Sequence, residues 1–223
     1  MTTSIQSRDK VSAICAVMNR TEILKVSIHS WIQNKNIDEF IIVDWSSTPP
    51  IPDLEKLDQR IKIIRVNGKK KWRLTKAYNL ALHNASNEII MKLDADYILN
   101  PYFNIFDYLE LKKGEFINAE WFPLNSIDNG AGFMRFLNGF LYVRKDDLNK
   151  IGGWNEAIEN YGYDDRDCYL RLEDSGLKKK ILEMNKDELF IYHNPHLDKK
   201  RYENCPKQKC CIKENSEKFT VQT

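Results

Sequence analysis

Unbroken apolar runs, rather than alternating ones, mark the first half of the chain. VSAICAV (11–17), FIIVDW (40–45) and IKIIRV (61–66) have few polar breaks and many β-branched residues. Runs of this kind predict strands covered on both faces. NEIIMKLDAD (87–96) predicts a fourth strand, and it ends on two acids. After the first run, Ile23, Leu24, Val26, Ile28, Trp31 and Ile32 recur at helical spacing, with Thr21 as N-cap and Glu22 in the first turn. SSTPPIP (46–52) closes the second strand with turn residues, and a basic loop leads into a helix from about Leu74 to His83. Strand–helix–strand alternation with short connections predicts an α/β fold around a largely parallel sheet.

The second half is less regular. Residues 103–112 read as a helix, 115–122 and 137–144 as strands, and 145–151 as a short helix. IGGWNEAIENYGY (151–163) is a loop rich in glycine and aromatics, CYLRLEDSG (168–176) a helix, and KKKILEM (178–184) and ELFIYH (188–193) the last strands. Beyond Pro195 the chain is polar and basic with little periodicity, which predicts a tail. The expected organisation is an N-terminal extension (1–10), a single α/β domain (11–196) and a basic tail (197–223).

Composition narrows the function classes. The 223 residues are 42% hydrophobic and 11% aromatic, an ordinary globular balance. Net charge is +2, from 34 basic against 32 acidic residues, so no global field favours nucleic acid. No run approaches the roughly 18 apolar residues of a membrane span, and no signal peptide precedes the first strand. Five cysteines, with Cys15 and Cys168 inside apolar patterns, fit reduced thiols and a cytoplasmic location better than a disulfide framework. Cys205, Cys210 and Cys211 do not have the spacing of a zinc site.

Chemistry concentrates at strand ends. Open parallel sheets bind ligands beyond the carboxyl ends of their strands. Asn19-Arg20, Asp44 and Asp94/Asp96 all fall at such ends. Two ionised acids at the mouth of a buried strand need a cation or hydrogen-bond donors. A hard divalent ion fits, because it accepts one or two carboxylates and completes its shell with water and phosphate oxygens. A haloacid-dehalogenase-type phosphatase would carry such a motif on its first strand. A nucleotidylyltransferase would open with a glycine-rich loop where this chain reads AVMNRTE. Neither pattern is present.

CAVMNRTEILKVSIHSW, FIIVDWSS and LTKAYNLALHNASNEIIMKLDADYILNP resemble a family-2-type glycosyltransferase of the GT-A fold. GGWNEAIENYGYDDRDCYLRL resembles the C-terminal motif of the β-1,4-galactosyltransferase, N-acetylgalactosaminyltransferase and chondroitin-polymerase group. The resemblance covers roughly residues 11–196. It implies a GT-A (Rossmann-like) mixed sheet and an inverting, metal-dependent transfer of a sugar from a nucleotide-diphosphate donor, a UDP-sugar first, to a glycan or other hydroxyl acceptor. Further domains in a longer parent chain fit the same pattern. The rival readings are a catalytically inactive carbohydrate- or nucleotide-sugar-binding module and a sugar nucleotidylyltransferase.

The resemblance also assigns roles. Asn19, Arg20, Asp44, Arg73, Lys76, Asn79 and Asp94 are implied to meet the donor. Lys76 and Asn79 share a helix face as an i, i+3 pair, while Lys69-Lys70-Lys71 read as a solvated loop. Asp165 is implied as the base that takes the acceptor proton, with a helix-start role open to one acid of the cluster. Trp154, Tyr161 and Asp164 are implied at the acceptor or sugar, the alternative for Trp154 being core packing; Trp121 and Phe122 divide in the same way. Asp96 and His193 are implied as metal ligands, with His196 the alternative to His193. An imidazole beside a carboxylate favours Mn2+ over Mg2+.

Overall fold

A computed structural model describes residues 8–102, 104–119, 137–160, 162–182 and 190–194. The first half follows the apolar runs closely: β1 (Val11–Val17), α1 (Thr21–Trp31), β2 (Glu39–Trp45), β3 (Ile61–Val66), α2 (Leu74–Asn84) and β4 (Ile89–Lys92). Then come β5 (Tyr97–Leu99), β6 (Glu115–Asn118), β7 (Leu141–Arg144), α3 (Lys145–Lys150), α4 (Asp164–Asp174), β8 (Lys178–Ile181) and β9 (Ile191–His193). The main sheet runs β3-β2-β1-β4-β7-β6-β8, and β5 pairs with β9 in a small second sheet. β1 is parallel to β2 and β4, β2 to β3, and β6 to β8; β7 is antiparallel to both of its neighbours. The sheet is therefore mixed and largely parallel, as the alternation predicts.

Both faces are covered, which explains why the strand runs are apolar without alternation. Val11, Ala13, Cys15 and Val17 of β1 join one core with Leu24, Ile28 and Trp31 of α1. Ile14 and Ala16 join the other, with Ala77, Tyr78 and Ala81 of α2 and Cys168 and Leu172 of α4.

Four local expectations change. Arg20, not Thr21, is the N-cap residue of α1, and it makes no side-chain cap bond. The helix expected at 103–112 reduces to one 3-10 turn, Ile105–Asp107. Ile105 and Leu109 are buried while Phe106, Tyr108 and Leu111 pack on the same core, an arc too wide for one face of a regular helix. The strand expected over 137–144 begins as the 3-10 turn Leu137–Gly139 before β7. The strand β5 was not expected at all; it exists because β9 returns to pair with it, Tyr97 opposite His193. Tyr161, Trp121, Phe122, His196 and the tail cysteines lie outside the described residues.

Candidate active site

The parallel strands β1, β2 and β4 end together, and the D-x-D turn leaves β4 at that edge. Leu93 N–H donates to Ile14 O (3.0 Å), and Tyr97 N–H to Asp94 O (3.0 Å), so the turn is tied to β1 and closed on itself. The two acids then part. Asp94 accepts from the Tyr78 hydroxyl of α2 (2.8 Å) and from Lys92 Nζ (2.8 Å). Asp96 Oδ2 accepts from Arg20 Nη1 (3.0 Å) and lies 3.5 Å from His193 Nε2. Each carboxylate has its own cation, which relieves their mutual repulsion.

The β5–β9 pairing brings His193 to the D-x-D turn across almost 100 positions of sequence, and Asn194 N–H closes it by donating to Asp96 O (2.6 Å). Asp96 and His193 are both buried, at 2% and 5% exposure. One carboxylate oxygen and one imidazole nitrogen at this separation form a mixed donor pair suited to Mn2+. No group of three His, Cys, Asp or Glu arranged to hold a metal ion occurs among the described residues. An ion held by Asp96 and His193 would therefore complete its shell with water and phosphate oxygens, as ions delivered with nucleotides do. The residues fit such an ion.

The second centre is at the start of α4. Tyr163 adopts a left-handed conformation (φ 67°) just before the helix, with Asp164, Asp165 and Asp167 in the first turn. Asp167 accepts from Arg171 Nε (2.8 Å) on the next turn of the helix. Asp165 Oδ1 stands 3.1 Å from Lys92 Nζ. Asp164 is buried, its Oδ2 lacks a hydrogen-bond partner among the described residues, and burial, then the neighbouring Asp165 charge, pushes its carboxyl up to about 8. A neutral acid here is a hydrogen-bond donor at pH 7.

Lys92, the last residue of β4, joins the two centres, and reading the strand by its apolar pattern passes over it. It is 1% exposed, and its ammonium contacts Asp94, Asp165 and Gly139 O (2.7 Å) and sits 4.6 Å above the Tyr78 ring. Burial alone would lower its pKa; Asp165 first, then Asp94 and Asp164, outweigh burial and raise it. The available signal was a charged residue inside the buried run IIMKL, since an unpaired buried ammonium is too costly to keep.

Several expected donor residues are engaged elsewhere. Asp44 is 1% exposed; its Oδ1 accepts from Ser47 N–H (2.9 Å), and its Oδ2 from Ile51 N–H (3.1 Å) and Arg65. It shapes the loop after β2 instead of presenting a free face to a nucleoside. Asn19, at φ 58°, braces the same loop: its N–H donates to Ser47 Oγ (2.9 Å), and its Oδ1 accepts from Thr48 N–H (2.7 Å). Asn79 brackets Trp154, donating to its carbonyl (2.8 Å) and accepting from its N–H (2.7 Å). The Trp154 ring is 1% exposed and packs on Tyr78, with centroids 5.1 Å apart, so it belongs to the core and not to an acceptor floor. Arg73 pairs with Glu159 (2.8 Å) and Lys76 with Glu156 (3.7 Å), so these cations face loop acids.

Comparison with known proteins agrees with this architecture. The family model for glycosyl transferase family 2 matches residues 12–110, and that for the N-terminal domain of galactosyltransferase matches residues 128–196. No curated protein matches the sequence. Among solved structures, a mannosyltransferase from Pyrobaculum calidifontis, in complex with GDP-mannose and Mn2+, shares 16% identity over 79% of this chain with a TM-score of 0.62. The catalytic domain of Drosophila β1,4-galactosyltransferase 7, in complex with xylobiose, shares 14% over 97% of this chain and 82% of its own, with a TM-score of 0.61. S. aureus TarS (residues 1–349) shares 15% over 83% of this chain, with a TM-score of 0.59. The chain spans 55% of the mannosyltransferase and 60% of the TarS fragment. These likenesses define the class: the fold is GT-A. The two family matches and the GT-A fold together mark a glycosyltransferase, similar to family 2 in its first half and to galactosyltransferases in its second. No helix among the described residues is long and apolar enough to cross a membrane.

Proposed function

We propose that the chain is a metal-dependent, inverting glycosyltransferase that moves a sugar from a nucleotide-diphosphate donor, a UDP-sugar first, to a hydroxyl of a glycan or other acceptor. One observation carries the reading: a candidate base on α4 and a candidate donor acid after β4 share one ammonium, beside a carboxylate–imidazole pair at the strand-end edge. Mn2+ held by Asp96 and His193 would neutralise the diphosphate. Asp165 takes the acceptor hydroxyl proton while that oxygen bonds to the anomeric carbon; the bond from that carbon to the diphosphate breaks, and its electron pair leaves with the diphosphate. Asp94 receives a donor hydroxyl. Asp164, neutral below about pH 8, donates a hydrogen bond to a sugar or acceptor oxygen. Arg20, one-quarter exposed, neutralises Asp96 and is placed to meet phosphate.

The test is a thermal-shift screen of nucleotide sugars with and without Mn2+, followed by transfer assays. A ligand that binds only the folded state raises the melting temperature. Asp96→Ala is expected to lose the Mn2+-dependent shift. Asp165→Asn is expected to keep that shift and lose about 10²–10⁴-fold in transfer. Near-normal turnover by Asp165→Asn would remove it as the base, and pyrophosphate release would instead mark a nucleotidylyltransferase.

A further inference from the structure

Lys92 is costly to the fold and has no surface for substrate. A lysine at 1% exposure has lost its hydration, and an apolar residue of similar size at the end of a central strand is often at least as stable as a buried ion pair. Its ammonium donates hydrogen bonds to Asp94 (2.8 Å) and Gly139 O (2.7 Å) and forms an ion pair with Asp165 Oδ1 at 3.1 Å. At 1% exposure it offers no face to a ligand, so it acts through the two acids. They come from different elements, the turn after β4 and the first turn of α4, and the ammonium lies between them. Both keep an outward face, with Asp94 30% and Asp165 19% exposed, while the ammonium is sealed beneath them. Serving stability alone would require one acid, not two partly exposed ones.

We propose that Lys92 is a positioning residue for group transfer, fixing Asp165 against Asp94 and holding Asp165 as an oriented anion. This inference rests on the role proposed for Asp165. The titratable groups around the pair are Asp94, Asp164, Tyr78, Tyr97, Tyr169, Cys15 and Cys168. Burial raises the pKa of each of these tyrosines and cysteines, so they stay neutral across the assay range. Asp164 titrates at about 8 and acts on the alkaline side. The acid limb of the rate profile is left to the two carboxylates that share Lys92, Asp165 and Asp94.

The experiment compares kcat against pH for the full chain and for Lys92→Gln, which keeps amide donors and removes the charge. Lys92→Gln is expected to lower kcat on the order of 10²-fold, the scale of one proton-transfer group. It should move the acid limb up by about 1–3 pH units, the usual effect of an opposite charge at this range. The Mn2+-dependent donor shift should survive. An acid limb that stays in place while kcat falls would make Lys92 merely structural and overturn the proposal. If Lys92→Gln does not fold, Lys92→Gln/Asp165→Asn decides: regained folding shows that the two are coupled, and no recovery overturns the proposal. Wild-type chain that transfers no sugar from any nucleotide donor would instead sink the proposed function, and the same double variant would still read the Lys92–Asp165 coupling in melting temperature.

Discussion

Gly139 is the backbone position on which the charged cluster closes, and substituting it by alanine tests that closure. Its carbonyl accepts from Lys92 Nζ (2.7 Å), and its N–H donates to the Tyr97 hydroxyl (3.1 Å). A Cβ there would stand 2.4 Å from Asp94 Oδ2, 2.9 Å from the Tyr97 hydroxyl and 3.0 Å from Lys92 Nζ. None of the three can yield easily. Tyr78 and Lys92 hold Asp94, and Lys92 and Tyr97 are themselves fully buried. Overpacking costs roughly 1–3 kcal/mol, and loosening a hydrogen bond to a charged group adds about 1.5–3 kcal/mol. Alanine returns about 0.4–1 kcal/mol through the less free unfolded chain. The net cost is about 2–5 kcal/mol, or about 4–20 °C of melting temperature at 2–4 °C per kcal/mol for a chain of this size. Gly68→Ala is the control. Its φ of +73° carries strain, but no atom lies within 4 Å of the added Cβ, so only about 1–2 kcal/mol is at stake. Thermal melts should rank Gly139→Ala below Gly68→Ala, and the nucleotide-sugar shift should vanish in Gly139→Ala alone, because Asp94 is displaced. Wild-type melting together with a wild-type donor shift for Gly139→Ala would show that the cluster does not close on Gly139.

Two further outcomes follow from the same geometry. Asn79→Ala should lower the urea midpoint by an amount equivalent to about 1–3 kcal/mol, since both backbone groups of Trp154 lose their partner. It should leave the Mn2+-dependent shift far less changed than Asp96→Ala does; equal loss would return Asn79 to the donor. In the second, Asp164 is neutral in the fold up to about 8 but ionises from an ordinary 3.8 once unfolded. The fold then binds the extra proton, so this stabilisation is greatest below about pH 4 and is lost as pH rises to about 8. Asp44 works in the opposite sense. Burial would raise its pKa, but hydrogen bonds from Ser47, Ile51 and Arg65 outweigh burial and lower it, so its contribution is lost as pH falls. Melting temperature against pH should therefore lose its decline between about 4 and 8 in Asp164→Asn, and an unchanged decline would contradict a buried neutral Asp164.

What could be read from sequence divides along physical lines. The strands β1 to β4 are legible because both of their faces are covered, so a short β-branched run such as VSAICAV, bounded by polar residues, reads as a buried strand. The three-residue strands β5 and β9 are not equally legible. Tyr97–Leu99 is a strand only because Ile191–His193 returns to it, and local pattern contains no trace of a partner that far along the chain. Strand-end positions of Asp44, Asp94 and Asp96 follow from the same runs, but what each side chain binds does not. Asp44 and Asn79 are acceptors and donors that any ligand could use, and in the fold backbone groups use them, those of the following loop for Asp44 and those of Trp154 for Asn79. Lys92 shows the reverse failure: counted as one more residue of a strand, it is the charge on which the site is assembled.

The arrangement also explains how four acids of one small region coexist. Asp94 and Asp165 divide one buried ammonium, Asp96 takes the Arg20 guanidinium on the α1 side, and Asp164 avoids a further charge by keeping its proton. Moving Asp96 to the Lys92 side would place three carboxylates on one cation, a balance that burial penalises steeply. The turn after β4 prevents this: Tyr97 N–H closes it on Asp94 O (3.0 Å), and the two acids leave it toward different cations, Lys92 and Arg20. Their separation answers an electrostatic need of this edge. It lets the carboxylate–imidazole pair and the base–ammonium pair be built on one turn without either cancelling the other.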